Sequence, residues 1–225
     1  MKDITSYLND GTLYDRIKNL DGVHVGNYVV TNGIKVYIGG FDPFLNTGDT
    51  ALTTHHAVMI PETFYTTSYM NATNTTEGGY KGSYMFKTKL PEVLATWVTP
   101  YFGNHVISHR TLVTNVINPT GTNRWGSASG CSSSWEWASE KLALMSEPNV
   151  YGAIAWSSSG YDIGIHHMQF PIFRLMPEFM VAGRNWYWLR AVARATYFCD
   201  ADGGGLANAD NASNVHGVRP YFLID

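Results

Sequence analysis

The 225-residue chain can bury the core of one domain, because 44% of its residues are hydrophobic and 14% are aromatic. Only 15% of the residues are charged, a balance typical of β-rich binding proteins with long loops rather than of helical bundles. The net charge of −3, with 15 basic residues spread thinly, argues against a nucleic-acid partner, since phosphate binding needs clustered Lys and Arg.

Apolar runs and cysteines indicate whether the protein is inserted in a membrane, secreted or disulfide-bonded. No apolar run reaches ~18 residues, so we expect no membrane insertion. Residues 1–20 lack the apolar core of a signal peptide, so secretion by the general route is not expected. Without secretion, two buried thiols at Cys131 and Cys199 are favoured over a disulfide between them.

Residues 1–24 form a segment of their own in this interpretation. Apolar residues recur at near-helical spacing between Leu13 and Leu20. The segment is either an attachment or oligomerisation arm or a helix on the edge of the main domain, which we expect to span residues 25–225.

A β-hairpin is predicted within residues 25–40. Two β-branched runs flank Asn32-Gly33, and Asn-Gly between alternating apolar residues is a strong hairpin signal because both residues tolerate positive φ. A further strand is expected at residues 57–60, among long loops that include the Thr/Asn-rich stretch 65–78.

The clearest helical pattern covers residues 80–102. Apolar residues recur three and four positions apart, and Pro91 stands where a second helix could begin. Two consecutive short helices packed on the sheet are therefore predicted.

Two more strand regions are predicted after residue 104. The run HVISHRTLVTNVI is β-branched and alternating, and WEWASEKLALM follows a Gly/Ser/Asn-rich loop. In the second region Ser133-x-x-Glu136 mimics a helix-capping box, but the alternation of Trp135 and Trp137 favours a strand.

Residues 186–221 are unusual in composition. From position 189 to 225 there is no Lys, Glu, Gln, Met or Trp, although these types make up 30 of the 225 residues and about five are expected there. Free replacement of adenines in the asparagine codons AAC and AAT leaves a third-position pyrimidine, and such codons encode none of the five. They do encode Ala, Arg, Tyr, Asp, Gly, Leu, Val and His, which interrupt the Asn/Ala/Ser background here.

The pattern W-L-R-x-V-x-x-A-T-x-F-C-x-A-x-x-x-G-x-A-N-x-x-N-A-S-N-x-x-G-V-R-P at residues 188–220 resembles the variable region of diversity-generating retroelement target proteins. In that family an asparagine-rich template is copied with adenine mutagenesis into the 3′ end of the gene. Residues 81–152 are also similar to a bacterial and phage domain that precedes a WLRS…GVRP ending. The resemblance implies an α+β, C-type-lectin-like fold with mixed or antiparallel sheets, two or more short helices, long loops and a variable region at 186–221.

The same resemblance implies which positions are diversified and bind ligand. They are Ala191, Ala193, Arg194, Tyr197, Asp200, Asp202, Gly203, Gly204, Leu206, Ala209, Asp210, Val215 and His216. The positions implied to be unmutated or invariant are Asn208, Asn211 and Asn214. The frame expected to lie buried beneath the variable side chains is Trp186, Trp188, Phe198, Val218, Phe222 and Ile224. Arg190 and Arg219 are expected to hydrogen-bond backbone carbonyls within that frame.

Metal sites are not predicted. Neighbouring residues on a strand point to opposite faces, so neither His55-His56 nor His166-His167 easily chelates one ion. Four aspartates would suit calcium through their oxygens, but three of them lie at diversified positions, where a required ligand could not be kept. These aspartates are Asp162, Asp200, Asp202 and Asp210.

Catalysis is not predicted either. The implied fold also resembles formylglycine-generating enzymes, which need reactive cysteines, but Cys131 and Cys199 show no activating context. No Ser-His-Asp or nucleotide-binding pattern has supporting context. We therefore expect a protein that is not an enzyme and needs no cofactor.

The function predicted from these observations is ligand binding through a C-terminal surface diversified by retroelement mutagenesis. Arg194, Tyr197 and His216 offer the largest contacts, and the expected partner is a host or cell-surface protein or glycan. Homo-oligomeric display would raise the affinity by avidity. A receptor-binding protein of a phage virion is expected, with a bacterial surface adhesin as the alternative. A structural virion protein with a lectin-like domain and a conventional carbohydrate-binding lectin stay open.

Overall fold

The computed structural model describes residues 1–114, 135–157 and 168–225. Their architecture is α+β, with mainly antiparallel sheets, one of them curled into a half-barrel, and short helices. The expectations for Cys131, Ser133, Asp162 and the pair His166-His167 concern positions outside these ranges.

The described helices are short. In chain order they are α1 (Thr5–Asn9), α2 (Leu13–Asn19), α3 (Gly79–Gly82), α4 (Leu90–Val93), α5 (Thr99–Phe102), α6 (Glu147–Tyr151) and α7 (Pro171–Leu175). Wide π turns lie at Met85–Lys89 and Leu94–Val98, and 3-10 turns at Gly103–His105 and Pro177–Met180. Across the described ranges, every helix is too short or too polar to cross a lipid bilayer.

Thirteen strands are described. They are β1 (Tyr28–Thr31), β2 (Ile34–Phe41), β3 (Ala57–Pro61), β4 (Thr66–Ser68), β5 (Val106–Ile107), β6 (His109–Thr114), β7 (Trp135–Glu140), β8 (Leu142–Leu144), β9 (Tyr187–Val192), β10 (Tyr197–Ala201), β11 (Ala207–Asn211), β12 (His216–Val218) and β13 (Pro220–Ile224).

The strands pair in three sheets. The largest has the order β1-β2-β3-β13-β5, with β8 also paired to β13; the second has the order β11-β10-β9-β12-β4; and β6 pairs with β7. Among these strand pairs only β12 with β9 is parallel. The consecutive strands β12 and β13 therefore belong to different sheets, and the C-terminal chain joins the two.

The predicted hairpin and the strand after it are confirmed. Thr31 pairs with Ile34 across a two-residue turn, in which Asn32 has φ 45° and Gly33 has φ 77°. These positive values at both central positions are those of a type I′ turn, which matches the right-handed twist of the strands. The strand expected at residues 57–60 is β3.

Residues 80–102 are largely helical, as predicted, but the break lies at Ser83, and the helical backbone continues through Pro91, where the second helix was expected to begin. Pro91 and Pro100 each stand in the first turn of a short helix, α4 and α5, and a π turn precedes each helix. Proline has no N–H to donate, and its ring crowds the carbonyl four residues earlier. The backbone therefore stays helical but widens before each proline.

The strand predictions after residue 104 are also confirmed within the described ranges, by β5 and β6 and then by β7 and β8. Trp135–Glu140 is a strand, so the competing helix suggested by the capping-box pattern does not form. The pairing of β6 with β7 places Trp137 opposite Leu112.

Two hydrophobic clusters cover both faces of the central strands. Trp188 and Phe198 belong to the first cluster, together with Leu13 and Ile17 of α2. The neighbours of these two aromatic residues, such as Leu189 and Cys199, belong to the second cluster. Because side chains alternate along a strand, β9 and β10 are buried on both faces.

Candidate ligand-binding site

The thirteen predicted ligand-binding positions divide between surface and interior. Ten reach solvent at least in part, namely Arg194, Tyr197, Asp202, Gly203, Gly204, Leu206, Ala209, Asp210, Val215 and His216. Ala191, Ala193 and Asp200 are buried. The expectation that the variable side chains project from an exposed face is wrong for these three, because β9 and β10 are covered on both faces and Ala193, just after β9, is buried in the second hydrophobic cluster.

The positions on β10 and β11 also divide between the two faces of their sheet. Asp210 is paired with Phe198 and shares its face, whereas Tyr197 and Ala209 pack against the second cluster. Only the Phe198 face carries the polar positions Asp200 and Asp210. The structure thus brings some of the predicted positions together and separates others.

The turn between β10 and β11 is held by one predicted position. The Asp202 carboxylate accepts hydrogen bonds from the backbone N–H groups of Gly204, at 2.8 Å, and Leu206, at 2.9 Å. Leu206 itself, the last residue of this turn before β11, is 68% exposed. Asp202 therefore shapes the turn, and Leu206 offers the apolar contact surface.

A depression of about 400 Å³ opens beside β12. Three predicted positions line it, Asp210, Val215 and His216. Its other lining residues were not predicted to bind ligand: Phe64, Thr67, Asn185, Trp186 and Gly217. We call this depression the β12 pocket.

Trp186 is the residue that the sequence interpretation placed wrongly. It was expected in the buried frame but is 41% exposed, while the other five frame residues, Trp188, Phe198, Val218, Phe222 and Ile224, are buried as predicted. Trp186 precedes the first residue of β9, so it extends the Trp188 face beyond the part of the sheet that the core covers. The sequence carried no signal for this, because the end of the strand and of the layer above it is known only from the structure.

Aromatic rings hold His216 in the wall of the β12 pocket. Its ring centroid lies 4.4 Å from that of Trp188 and 5.3 Å from that of Trp186. The Trp188 indole N–H donates to the Ser68 carbonyl at 2.8 Å, which fixes the deeper ring. On the next residue, Gly217 allows the Phe64 ring to pack close to β12, because a Cβ there would lie 2.5 Å from that ring.

Two carboxylates face the imidazole of His216. Its Nε2 lies 3.0 Å from Asp210 Oδ2 and 3.5 Å from Asp200 Oδ2. Asn214 also donates to Asp210 Oδ2, at 2.8 Å. Asp200, Asp210 and His216 come from β10, β11 and β12, so the sheet assembles the cluster from three separate strands.

Asp200 is the exceptional member of this cluster. Its side chain is fully buried, and neither carboxylate oxygen has a well-formed hydrogen bond among the described residues. Burial raises the pKa of Asp200 to about 7; the nearby Asn208 amide opposes the shift, and the charges of Asp210, Asp202 and Glu147 add to it. An ionised Asp200 is therefore costly in this environment.

The pKa values of the other two members, Asp210 and His216, are lowered. Burial lowers the pKa of His216, against the opposing influence of Asp210. For Asp210 burial acts to raise the pKa, but hydrogen bonds from Asn214, the Asn211 backbone and His216 outweigh it, and the pKa is lowered. A neutral imidazole beside an ionised Asp210 is the arrangement that these shifts favour near neutral pH.

The two arginines of the frame are buried. Arg219 donates from Nε to the Pro61 carbonyl at 3.0 Å, which confirms the predicted backbone contact. Its guanidinium lies 4.5 Å from the Phe179 ring and 4.9 Å from the Tyr187 ring. Arg190 is only 3% exposed, so neither arginine is available to a ligand.

Comparison of the chain with models of protein families, with curated proteins and with solved structures gives no match. The family resemblance therefore depends on the residue pattern alone, and the pocket must be interpreted from its own geometry.

Proposed function

We propose that this protein binds a macromolecular ligand, a protein or glycan of a cell surface, through the β12 pocket and the adjoining turn. The proposal includes the C-type-lectin-like fold and retroelement diversification that the tail pattern implies. The protein would act as a receptor-binding component of a phage virion or as a bacterial surface adhesin. The observation that carries the proposal is the convergence of Trp186, Val215, Asp210 and His216 on one pocket.

The chemistry of the pocket supports binding. Trp186 is 41% and Val215 59% exposed, so apolar surface stands beside the polar Asp210 and His216. Ligand sites combine apolar walls with a few polar groups that fix orientation, and Trp is among the residues that most often dominate binding energy. A ligand that covered the Trp186 ring would remove its apolar surface from water.

Binding at this surface is tested with labelled protein on a panel of intact bacterial cells. We expect Trp186→Ala to weaken binding by about 2 kcal/mol or more, the usual size of a hot-spot effect. Tyr101→Ala is the matched control, because Tyr101 is 40% exposed on α5 and lies outside the pocket. Binding that is lost equally in both variants, or in neither, would place the contact elsewhere.

Diversification is tested by sequencing the 3′ end of the gene and its downstream region across the source population. We expect a near-copy repeat with asparagine codons at the thirteen positions, and variants that differ only where that repeat has adenine. If the codons for residues 191–216 vary no more than their neighbours and no repeat exists, the tail is an ordinary C-terminus.

A further inference from the structure

The cluster of Asp200, Asp210 and His216 has the composition of a metal site. One ligand atom of each residue lies within 4.8 Å of the others, and the His216 Nε2 separations from the two carboxylates are 3.0 and 3.5 Å. Ligands at about 2.0–2.2 Å from a tetrahedral zinc ion stand roughly 3.4 Å from one another. The side chains therefore need little movement to surround one ion.

The buried carboxylate of Asp200 is an independent indication of a ligand. Buried polar groups normally have well-formed hydrogen bonds, but the Asp200 oxygens have only the nearby Asn208 amide and the His216 ring, and neither forms a hydrogen bond of good geometry. The same carboxylate faces His216 in a region that also holds Asp210, Asp202 and Glu147. A divalent cation would be a stronger partner for these oxygens than the Asn208 amide and the His216 ring at 3.5 Å, and it would offset this concentration of negative charge.

We propose that Asp200, Asp210 and His216 bind one divalent transition-metal ion, with Zn²⁺ as the best match. Calcium and magnesium prefer shells made of oxygen ligands, whereas zinc accepts imidazole nitrogen together with carboxylate oxygen. Three protein ligands leave a fourth position of a tetrahedral ion open. Because Asp210 and His216 line the β12 pocket, that position is accessible from the pocket, where a carboxylate or hydroxyl of a ligand can occupy it.

How the metal site arose can be explained by diversification only if the proposed function is correct. All three ligand positions are among those implied to be diversified, so the site would belong to this sequence variant and not to its relatives. Diversification would then have produced a metal-assisted binding surface. The proposal of the metal site itself does not depend on that function, because it is based on the distances between the three side chains and the burial of Asp200.

The test is calorimetric titration of zinc chloride into untagged protein that has been stripped of metal with a chelator. We expect saturation at one Zn²⁺ per chain and an affinity weakened at least about tenfold by His216→Gln or Asp210→Asn, since even outer-shell changes reach that size. His24→Gln is the matched control, because His24 is an exposed histidine outside the cluster. Circular dichroism of each variant verifies that it is folded.

A second readout protects the test against variants that fold poorly. Zn²⁺ should raise the melting temperature of the wild-type protein and of His24→Gln, but not that of Asp200→Asn. Binding without saturation, binding weakened by His24→Gln alone, or tighter binding of Ca²⁺ than of Zn²⁺ would overturn the proposal. The titration needs no cell-surface partner, so its failure is distinct from failure of the proposed binding function.

Discussion

Asp200 shows how a single side chain can destabilise a fold in which it is buried. A carboxyl group in an unfolded chain has a pKa of about 3.9, and burial raises the pKa of Asp200 to about 7. Below about pH 4 the group is protonated in both states and imposes no penalty. As the pH rises from about 4 to 7, only the unfolded state releases the proton easily, so stability falls, and the full penalty persists above pH 7.

Replacing Asp200 with asparagine removes this penalty. We expect metal-free Asp200→Asn to melt above the wild-type protein at pH 8, by about 2–4 °C for each kcal/mol relieved. The difference should shrink to nothing as the pH falls to about 4. Thermal melts of both proteins in chelator across this range measure it. A wild-type protein more stable than the variant at pH 8 would show that an unidentified group stabilises the charge.

At the scale of the element, the β10–β11 turn limits what the diversified tail can display. A Cβ at Gly203 would lie 2.8 Å from the backbone carbonyl oxygen of Arg184, whereas one at Gly204 would lie 3.3 Å from a side-chain oxygen of Asp202. Backbone is harder to displace than a side chain. The two neighbouring positions should therefore differ in their tolerance, although the tail pattern treats them alike.

This difference is measured with two alanine variants. We expect Gly203→Ala to lower the free energy of unfolding by about 1–3 kcal/mol, the usual cost of overpacking. Gly204→Ala is the matched control and should stay within about 0.5 kcal/mol of the wild-type protein. Urea denaturation of both variants decides the question, and equal losses would mean that the turn adjusts its backbone freely.

At the scale of the whole molecule, β13 links the two large sheets, so we expect them to unfold together. It follows β12 directly and pairs with β3, β5 and β8 in the largest sheet. Phe222 on β13 is fully buried, and its ring centroid lies 4.9 Å from that of Phe102 on α5. The C-terminal strand is therefore a central part of the core and not an appendage to the variable surface.

Truncating Phe222 should affect the entire fold. We expect Phe222→Ala to lower the free energy of unfolding by about 3–5 kcal/mol, a large share of the about 5–15 kcal/mol that domains possess. Tryptophan fluorescence and far-UV circular dichroism should report one shared transition in urea. Leu206→Ala, at a 68% exposed position, is the control and should change little. Separate transitions for the two probes would mean that the sheets unfold independently.

Local sequence was sufficient for much of the fold. The Asn32-Gly33 turn, the proline-punctuated helices and the alternating strands are recognisable because each depends on the conformational preferences of a few neighbouring residues. The buried frame around Trp188 and Phe198 was predictable for a similar reason, since large aromatic residues in strand patterns are normally buried. Trp186 is an exception, because no feature of the neighbouring sequence indicates where the layer that covers the sheet ends.

The sequence by itself determined the restricted composition of the tail, since that is a property of codons and not of contacts. Tertiary structure alone decided which tail residues meet. Asp200, Asp210 and His216 lie on three strands and face one another only because β10 separates β11 from β9 and β12 pairs with β9. Strand order and register depend on packing between distant segments, and so does the layer that buries Ala191 and Ala193. No pattern of neighbouring residues contains that information.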